Sequence, residues 1–375
     1  MTAAFLARRR LFRNRGRLLT SIGGVALALS LTLALDAIYA GVANGLTAYI
    51  DHAGADVWVS QAGVRNLHMV ASWMPASVTA QVQAVEGVRD ATPILYTTDT
   101  IASGGERGVA YVVGVPHEAP VGGPWQTSAG ASDVLPGSVI VDAAFARRAG
   151  ASVGDSVTVL GREMRVAGLS EGTASLVNTV AFVPFGDFRS ARGGAPVVSF
   201  VLVRLEPGVD AAVAAAAIER AVPGVTAQTT AGFANQERSL VMDMSADVIT
   251  IMNGVGFFVA LAVVALTVYI STLSNRREFG VLKAIGARDR LLYGSVLAQA
   301  LISVAIGTLL ALAFTALLAA LVPRTGIALA PALTGAAVLK VAGFGVVVAL
   351  IAGLLPIRQV ARIDPASTFR RGATL

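Results

Sequence analysis

Four long stretches of apolar residues run along the chain, and charged side chains are nearly absent from them. The stretches cover residues 18–35, 248–273, 291–322 and 336–357, and the last alone contains a charge, at Lys340. A helix rises about 1.5 Å per residue and the hydrocarbon core of a bilayer is about 30 Å thick, so about 20 residues cross it. Four such stretches predict four transmembrane helices rather than four buried core helices.

The pattern changes between the first and second stretches, where residues 47–247 form short alternating segments bounded by Gly, Pro and Asp. Alternation with a period of two is typical of strands. Strands are predicted at 55–60, 108–115, 138–141, 156–160, 162–169, 179–183 and 197–205, the fourth and fifth forming a hairpin around Gly161. Helices are predicted at 75–85, at 142–149 with Asp142 as the N-cap, and at 209–222. The fold class is therefore a four-helix membrane protein with a large extracytoplasmic α+β domain between helices 1 and 2.

Both borders of this domain keep a helical apolar pattern. Ile38, Val42 and Leu46 continue the first stretch, and Leu240 and Met244 lead into the second. The pattern predicts that both membrane helices extend past the bilayer as a two-helix stalk. Two alternatives stay open, namely a short polar linker before the second stretch and a cleaved signal peptide at 1–40. The first apolar run is longer than a signal peptide needs, which favours an uncleaved span.

Arginine marks the ends of the apolar stretches and orients the chain. The first 17 residues contain six arginines and no acid, residues 276–290 contain five basic and two acidic groups, and residues 358–375 contain four arginines and one acid. Cytoplasmic segments are rich in Arg and Lys, so these segments and both termini are predicted to be cytoplasmic. Their charge explains the net charge of +6 without a nucleic-acid partner. A charged content of 14%, against about 25% in soluble domains, argues against a soluble enzyme.

The sequence offers no constellation for catalysis or for a bound cofactor. Cysteine is absent, His52, His68 and His117 lack metal-binding spacing, and neither GxxxxGK[ST] nor GxSxG occurs. Ion-coupled transporters place ionisable groups at mid-membrane, whereas these spans carry only Asp36 and Lys340 at their ends. We therefore expect no catalytic residue, metal or cofactor in this chain, and an energy source outside it.

The segment between the second and third stretches is amphipathic. Phe279, Leu282 and Ile285 recur at helical spacing and share one face, while Glu278 and Lys283 lie around it. A short amphipathic helix of this kind suits the groove of a partner protein. It equally suits a position on the lipid surface, and composition alone leaves both open.

The same segment, RREFGVLKAIGA at 276–287, closely resembles the signature of the FtsX/MacB-like ABC transporter permeases. The tail at 355–370, LPIRQVARIDPASTFR, resembles the ending of that family, and RNRGRLLT at 13–20 resembles its approach to the first span. Short segments of the outer region, at 55–57, 86–88 and 153–155, are also similar. The resemblance covers nearly the whole chain. Departures are small: Lys283 stands where Arg is common, and Ser367 and Thr368 replace a frequent Glu-Ala pair.

The resemblance implies one span, a large MacB-like core domain and three further spans, the plan that the apolar pattern also predicts. It implies that two permease copies, identical or different, work with two ABC ATPase subunits that bind the ATP. Because about 17 residues precede the first span, the ATPase is expected on a separate chain, as in DevC-like and lipoprotein-releasing permeases. Membrane lipid and an extracytoplasmic adaptor or hydrolase are the further partners implied.

By the same resemblance, the segment at 276–287 is the coupling helix that touches the ATPase. The residues assigned to it are Arg277, Glu278, Phe279, Gly280, Leu282, Lys283, Ala284, Ile285 and Gly286. Arg13 and Arg17 are expected in a membrane-surface elbow before the first span. Arg362, Asp364 and Pro365 form the C-terminal motif.

The chain is thus expected to consist of nine segments in the cytoplasmic membrane of a bacterium. They are a cytoplasmic elbow (1–17), the first span and stalk (18–46), the outer α+β domain (47–234), the second stalk and span (235–274), the coupling helix (275–290), the third span (291–322), an outer loop (323–335), the fourth span (336–357) and a cytoplasmic tail (358–375). The leading hypothesis is a permease subunit that exports a hydrophobic, lipid-linked or peptide substrate by transmitting ATP-driven movements to the outer domain. The alternatives are an FtsX-like transmitter that activates an extracytoplasmic cell-wall hydrolase, and a membrane receptor or sensor without an ATPase.

Overall fold

A computed structural model describes residues 15–173, 179–274, 276–284, 287–322 and 331–361 of the chain. The contacts divide the chain into two compact units. The first, named the membrane unit, contains the described parts of Met1–Ala40, Ser245–Leu321 and Pro331–Leu375. The second, named the outer domain, contains the described parts of Gly41–Met244 and Val322–Ala330.

Nine helices and twelve strands lie within the described ranges. The helices are α1 (Arg15–His52), α2 (Ser77–Gln83), α3 (Ala143–Ala149), α4 (Phe185–Ala191), α5 (Ala211–Ala221), α6 (Thr230–Ser274), α7 (Arg276–Ala284), α8 (Asp289–Leu321) and α9 (Gly335–Ala361). The strands are β1 (Val57–Gln61), β2 (Met74–Pro75), β3 (Val88–Ser103), β4 (Glu106–Val115), β5 (Thr127–Gly130), β6 (Ser138–Asp142), β7 (Ser156–Val159), β8 (Arg162–Ser170), β9 (Thr179–Pro184), β10 (Val197–Val198), β11 (Phe200–Leu205) and β12 (Val225–Thr229).

Four helices in the described part of the chain are long and apolar enough to cross a membrane. They are Ile22–His52 in α1, Thr250–Ser274 in α6, Asp289–Leu321 in α8 and Gly335–Gly353 in α9. The predicted architecture, with an α+β domain between the first and second of these helices, is confirmed. The helical extensions predicted at 37–46 and before residue 248 are confirmed as well, since α1 and α6 are each continuous through them.

The helices of the membrane unit approach one another at glycines. A Cβ atom placed on Gly345 of α9 would lie 2.7 Å from Cγ1 of Val304 in α8, and one on Gly307 of α8 would lie 2.6 Å from Cγ1 of Val25 in α1. Gly343, on the same helix as Gly345, has no such neighbour within 4 Å. Membrane helices associate largely by van der Waals packing, which is strongest where small residues let backbones come close. Glycine is therefore required at the crossings and is not required at Gly343.

Ten strands of the described chain form one mixed sheet in the outer domain. Their order is β12-β1-β11-β3-β4-β9-β6-β8-β5, with β7 beside β3 and β8. The pairs β4–β9 and β6–β8 are parallel, and the other neighbours are antiparallel. Strands β2 and β10 form a separate two-stranded ribbon.

The longest strand, β3, joins the two halves of this sheet by changing its partner. It pairs with β11 up to Ile94 and with β4 from Leu95 onwards. The sequence pattern did not predict β3, because Pro93 lacks a backbone N–H and the acids Asp90 and Asp99 interrupt the apolar alternation. Its many ladder bonds nevertheless hold it in the centre of the sheet.

Strand β1 shows how the sheet buries both of its faces. Val57 and Val59 belong to a core shared with α2 and α5, whereas Trp58 between them belongs to an aromatic core on the opposite face. The strand predicted at 55–60 is confirmed. Its successive side chains therefore enter two different cores, one on each face of the sheet, instead of alternating between a core and solvent.

Predictions that rest on a cap or a turn are confirmed by the structure. Asp142 caps α3 by accepting a hydrogen bond from the backbone N–H of Ala144 at 2.7 Å. The β7–β8 hairpin turns at Leu160 and Gly161, whose φ angles are 54° and 70°, in the region that favours glycine.

Most of the other predicted elements of the outer domain are also present. The strands predicted at 108–115, 138–141 and 179–183 correspond to β4, β6 and β9, and the helices predicted at 75–85 and 209–222 correspond to the shorter α2 and α5. The predicted strand at 197–205 divides into β10 and β11, and β5 and β12 were not predicted.

Candidate functional site

The short helix α7 stands between two membrane-spanning helices, α6 and α8, in the chain. Glu278 lies in its first turn and Lys283 in its last, so these two charges are at the ends where the helix dipole favours them. The helix closes with a hydrogen bond from the backbone N–H of Ala287 to the carbonyl oxygen of Leu282, at 2.9 Å, a bond of the kind that ends many helices. The amphipathic helix predicted in this segment is thus present over Arg276–Ala284.

One face of α7 is packed within the membrane unit, and the other is open. Phe279 is 3% exposed and belongs to the apolar core of the unit, Leu282 packs against that core, and Gly280 is buried. Val281 is 41% exposed, and Ala284 is also exposed. The exposed face of α7 is therefore centred on Val281 and Ala284. Phe279, Gly280 and Leu282, which the resemblance assigns to a partner contact, lie on the face that is packed within the chain.

Polar contacts fix the surroundings of α7. Nζ of Lys283 lies 3.3 Å from Oδ1 of Asp289 in the first turn of α8. Helices α6 and α8 are also joined directly, since Nε2 of Gln299 donates a hydrogen bond to Oγ of Ser271 at 2.9 Å. The C-terminal end of α7 is therefore held to α8 by an ion pair as well as by the chain.

The other predicted site residues are described in part or not at all. Arg17 lies in α1 and Arg277 in α7, but their side chains are outside the described set, and Glu278 is half-buried. The residues outside the described ranges are Arg13, Ile285, Gly286, Arg362, Asp364 and Pro365. The membrane elbow and the C-terminal motif therefore stay predictions from the sequence.

An ion pair joins the first and last membrane helices. Nζ of Lys340 in α9 lies 2.7 Å and 2.6 Å from Oδ1 and Oδ2 of Asp36 in α1. The Asp36 side chain is 9% exposed and that of Lys340 is 36% exposed. Beside the pair, the backbone N–H of Ala332 donates to the carbonyl oxygen of Ala37 at 2.8 Å. The sequence marks both charges at span ends, but only the fold brings them together.

Within the outer domain, the end of α1 and the start of α6 meet in the aromatic core. The ring of Trp58 stacks on Phe233 of α6, with centroids 5.1 Å apart, and meets Tyr49 of α1 edge-on at 5.9 Å. Nη2 of Arg238 in α6 lies 2.5 Å from Oδ2 of Asp51 in α1. The two helices are thus tied to each other and to the sheet, a feature that the helical pattern of the stalk segments does not reveal.

A buried carboxylate fastens the loop between β1 and β2 to α6. Glu237 of α6 accepts a hydrogen bond from the backbone N–H of Leu67 at 2.7 Å and lies 2.6 Å from Nδ1 of His68. The His68 ring lies 4.2 Å from Tyr111 and 6.0 Å from Tyr96. Burial raises the pKa of the Tyr96 phenol well above its ordinary range. The loop is therefore held by a polar contact beside an aromatic cluster.

Two family models match this chain, one for each of its main regions. The MacB-like periplasmic core domain matches residues 18–221. The FtsX-like permease C-terminal model matches residues 250–365, which include α7 and its neighbouring spans.

Whole-chain similarity extends to two permeases of Mycobacterium tuberculosis (strain ATCC 25618 / H37Rv). The uncharacterized ABC transporter permease Rv2563 is 25% identical over 367 residues, which cover 97% of this chain and 99% of that protein. The uncharacterized ABC transporter permease Rv0072 is 25% identical over 378 residues, with the same shares covered. The periplasmic region of MacB from Actinobacillus actinomycetemcomitans is similar with a TM-score of 0.38 and 12% identity, covering 49% of this chain and 92% of that one.

Proposed function

Because the chain belongs to the FtsX/MacB-like family of ABC transporter permeases, we propose that it transmits the work of an ABC ATPase from α7 to the outer domain. Permeases of this family are non-catalytic membrane subunits, and an ABC ATPase is the partner they imply. We assign that ATPase to a separate chain. That partner binds the ATP, and a second permease copy completes the complex.

The division of α7 into a buried face and an exposed face carries this proposal. A partner that holds Val281 and Ala284 also displaces Phe279, because all three side chains belong to one short helix. Phe279 belongs to the same apolar core as Val25 of α1 and Leu292 of α8. Close-packed cores deform little and transmit displacement. A movement applied to the exposed face is therefore passed to the membrane helices.

Contacts in the outer domain hold the parts of α1 and α6 that lie there, as transmission to this domain requires. Tyr49 and Phe233 fix α1 and α6 in the aromatic core, and Asp51 and Arg238 join the two helices. Each helix is continuous from its span to these anchors, so an axial displacement meets no break in the helix. We place both termini and α7 in the cytoplasm, as the arginine distribution favours, and we assign the movement to export of a hydrophobic, lipid-linked or peptide substrate.

The decisive experiment separates the two faces of α7. Val281→Arg adds a charge to the exposed face and is expected to reduce ATPase binding about tenfold or more, since a charge without a partner is costly at an interface. Phe279→Ala leaves that face intact, and is expected to keep the ATPase while losing coupling, because a cavity loosens α7 from its core. Affinity purification of the full chain from its native membrane, identification of bound chains and an ATP hydrolysis assay measure both effects.

A matched control is Arg288→Gln, which changes a charge just beyond α7 without altering either face; it is expected to behave as the unaltered protein does. If Val281→Arg retained both the ATPase and normal hydrolysis, α7 would not be the contact. If no P-loop protein accompanied the unaltered chain, the sensor hypothesis would replace transport. A copurified cell-wall hydrolase would replace export with signal transmission.

A further inference from the structure

A cavity of about 250 Å³ opens in the outer domain beside the β2–β10 ribbon. Its floor is formed by Leu95 of β3 and Phe188 of α4, which are both fully buried. Phe188 lies against the backbone of β4, where a Cβ atom on Gly114 would be 2.9 Å from Cβ of Phe188. The floor is thus rigid and apolar. This volume is slightly below that of drug-sized ligand sites, about 300–1,000 Å³, and suits a small ligand; such sites are mostly apolar with a few polar groups.

One wall of the cavity is Trp73, which is 43% exposed although it is among the largest side chains of the domain. Its backbone is held in place, because its N–H donates to Oε1 of Gln61 at 3.1 Å. The same loop is fastened to α6 through Glu237. Trp73 therefore leaves part of its aromatic surface exposed beside the cavity.

The rim of the cavity is positively charged. Arg192 is paired, with Nη2 3.1 Å from Oδ2 of Asp99. Arg189 is exposed, its guanidinium lies 5.9 Å from the ring centre of Phe185, and no carboxylate of the described residues is within ion-pair distance of it. The cavity lining thus has two guanidinium groups, and one of them, that of Arg192, is paired with a carboxylate outside the lining. An anionic group placed there gains a charge-assisted hydrogen bond from Arg189.

We propose that this cavity binds an anionic amphiphile, with a short alkyl or acyl chain against Trp73 and Val197 and a carboxylate or phosphate at Arg189. The apolar lining accounts for the chain, and Arg189, which has no carboxylate partner among the described residues, accounts for the charge. The inference goes beyond the proposed function, because it gives the outer domain a ligand of its own and does not depend on ATPase coupling.

The test uses the full chain in zwitterionic nanodiscs and small probes with a bromine atom at the chain end, which quenches tryptophan fluorescence on contact. The probes are ω-bromooctanoate, ω-bromooctyl phosphate and the neutral ω-bromooctanol. Saturable quenching is expected with both anionic probes, and Trp73→Phe is expected to remove it. Arg189→Glu is expected to weaken both anionic probes about tenfold or more while leaving the neutral probe unchanged. The ratio of carboxylate to phosphate affinity distinguishes a fatty acid from a phosphorylated lipid fragment.

A second pair of variants tests the cavity without altering charge. Ala195 borders the cavity and Ala80 is an exposed residue of α2 outside it. Ala195→Phe is expected to block the probes, and Ala80→Phe is expected to leave binding unchanged. Quenching that persisted in Trp73→Phe and Ala195→Phe, or that did not depend on Arg189, would overturn the proposal. Since ATPase binding is measured separately with the α7 variants, failure here leaves the proposed function untouched.

Discussion

In the membrane unit, helices meet where a side chain is missing, at Gly307 and Gly345, whereas the aromatic core of the outer domain is filled by Trp58, Phe200 and Phe233. The difference follows from the surroundings. Burial of a large side chain from water stabilises by about 1.5–3 kcal/mol, but lipid tails are as apolar as leucine, so membrane helices gain mainly from close approach. The two regions should therefore respond in opposite ways when side chains are made smaller or larger.

The largest effect is expected from Trp58→Ala. It removes a ring that contacts Tyr49, Phe200 and Phe233, and large-to-small changes at such sites cost about 3–5 kcal/mol. Denaturant unfolding of the full chain in detergent, followed by near-ultraviolet circular dichroism, measures the loss. Trp73→Ala is the control, since Trp73 is largely outside a core and its loss should be much smaller. Equal losses in the two variants would show that the aromatic core does not stabilise the outer domain.

An intermediate effect is expected when a membrane glycine is enlarged. Gly345→Ala places a Cβ atom 2.7 Å from Cγ1 of Val304, and overpacking of this kind costs about 1–3 kcal/mol. Gly343→Ala meets no atom within 4 Å and is expected to be neutral or slightly stabilising, because alanine favours helix more than glycine does. Thermal unfolding in detergent compares the two. Adding Val304→Ala to Gly345→Ala should restore part of the loss, and absence of any rescue would contradict the crossing.

The smallest effect at neutral pH concerns a phenol within the aromatic cluster. Burial raises the pKa of Tyr96, so the folded state keeps the neutral phenol while the unfolded chain ionises above a pH of about 10. The stabilisation is complete below that pH and is lost as pH rises towards the folded-state pKa. Tyr96→Phe is therefore expected to change stability little at pH 7 and to reduce the alkaline loss above pH 10. An identical alkaline decline in both proteins would contradict the burial of this phenol.

The sequence predicts those parts of the fold whose cause is local. The length of the apolar stretches is enough to predict the four spans, and the capping side chain of Asp142 predicts the start of α3. Strand β3 escapes prediction because its register is set by neighbouring strands, which tolerate Pro93 in the ladder. β3 is stabilised by neighbouring strands that are distant in sequence, and a local sequence pattern does not reveal them.

The candidate site, like the fold, is predictable from the sequence only where its cause is local. The spacing of Phe279 and Leu282 reveals that α7 has an apolar face, but burial within the chain and burial against a partner produce the same pattern. Only the structure shows that this face belongs to the core of the membrane unit and that Val281 is exposed. Likewise, the charges of Asp51 and Arg238 are visible in the sequence, but their contact depends on the fold.

The contact between Asp36 and Lys340 has a consequence for biogenesis. The two residues are 304 positions apart, so the acid emerges from the ribosome long before its counter-ion does. During that interval the half-inserted protein keeps a carboxylate near the bilayer edge without the lysine that later neutralises it. Arrival of the last helix therefore pairs this acid as well as completing the set of four long apolar helices.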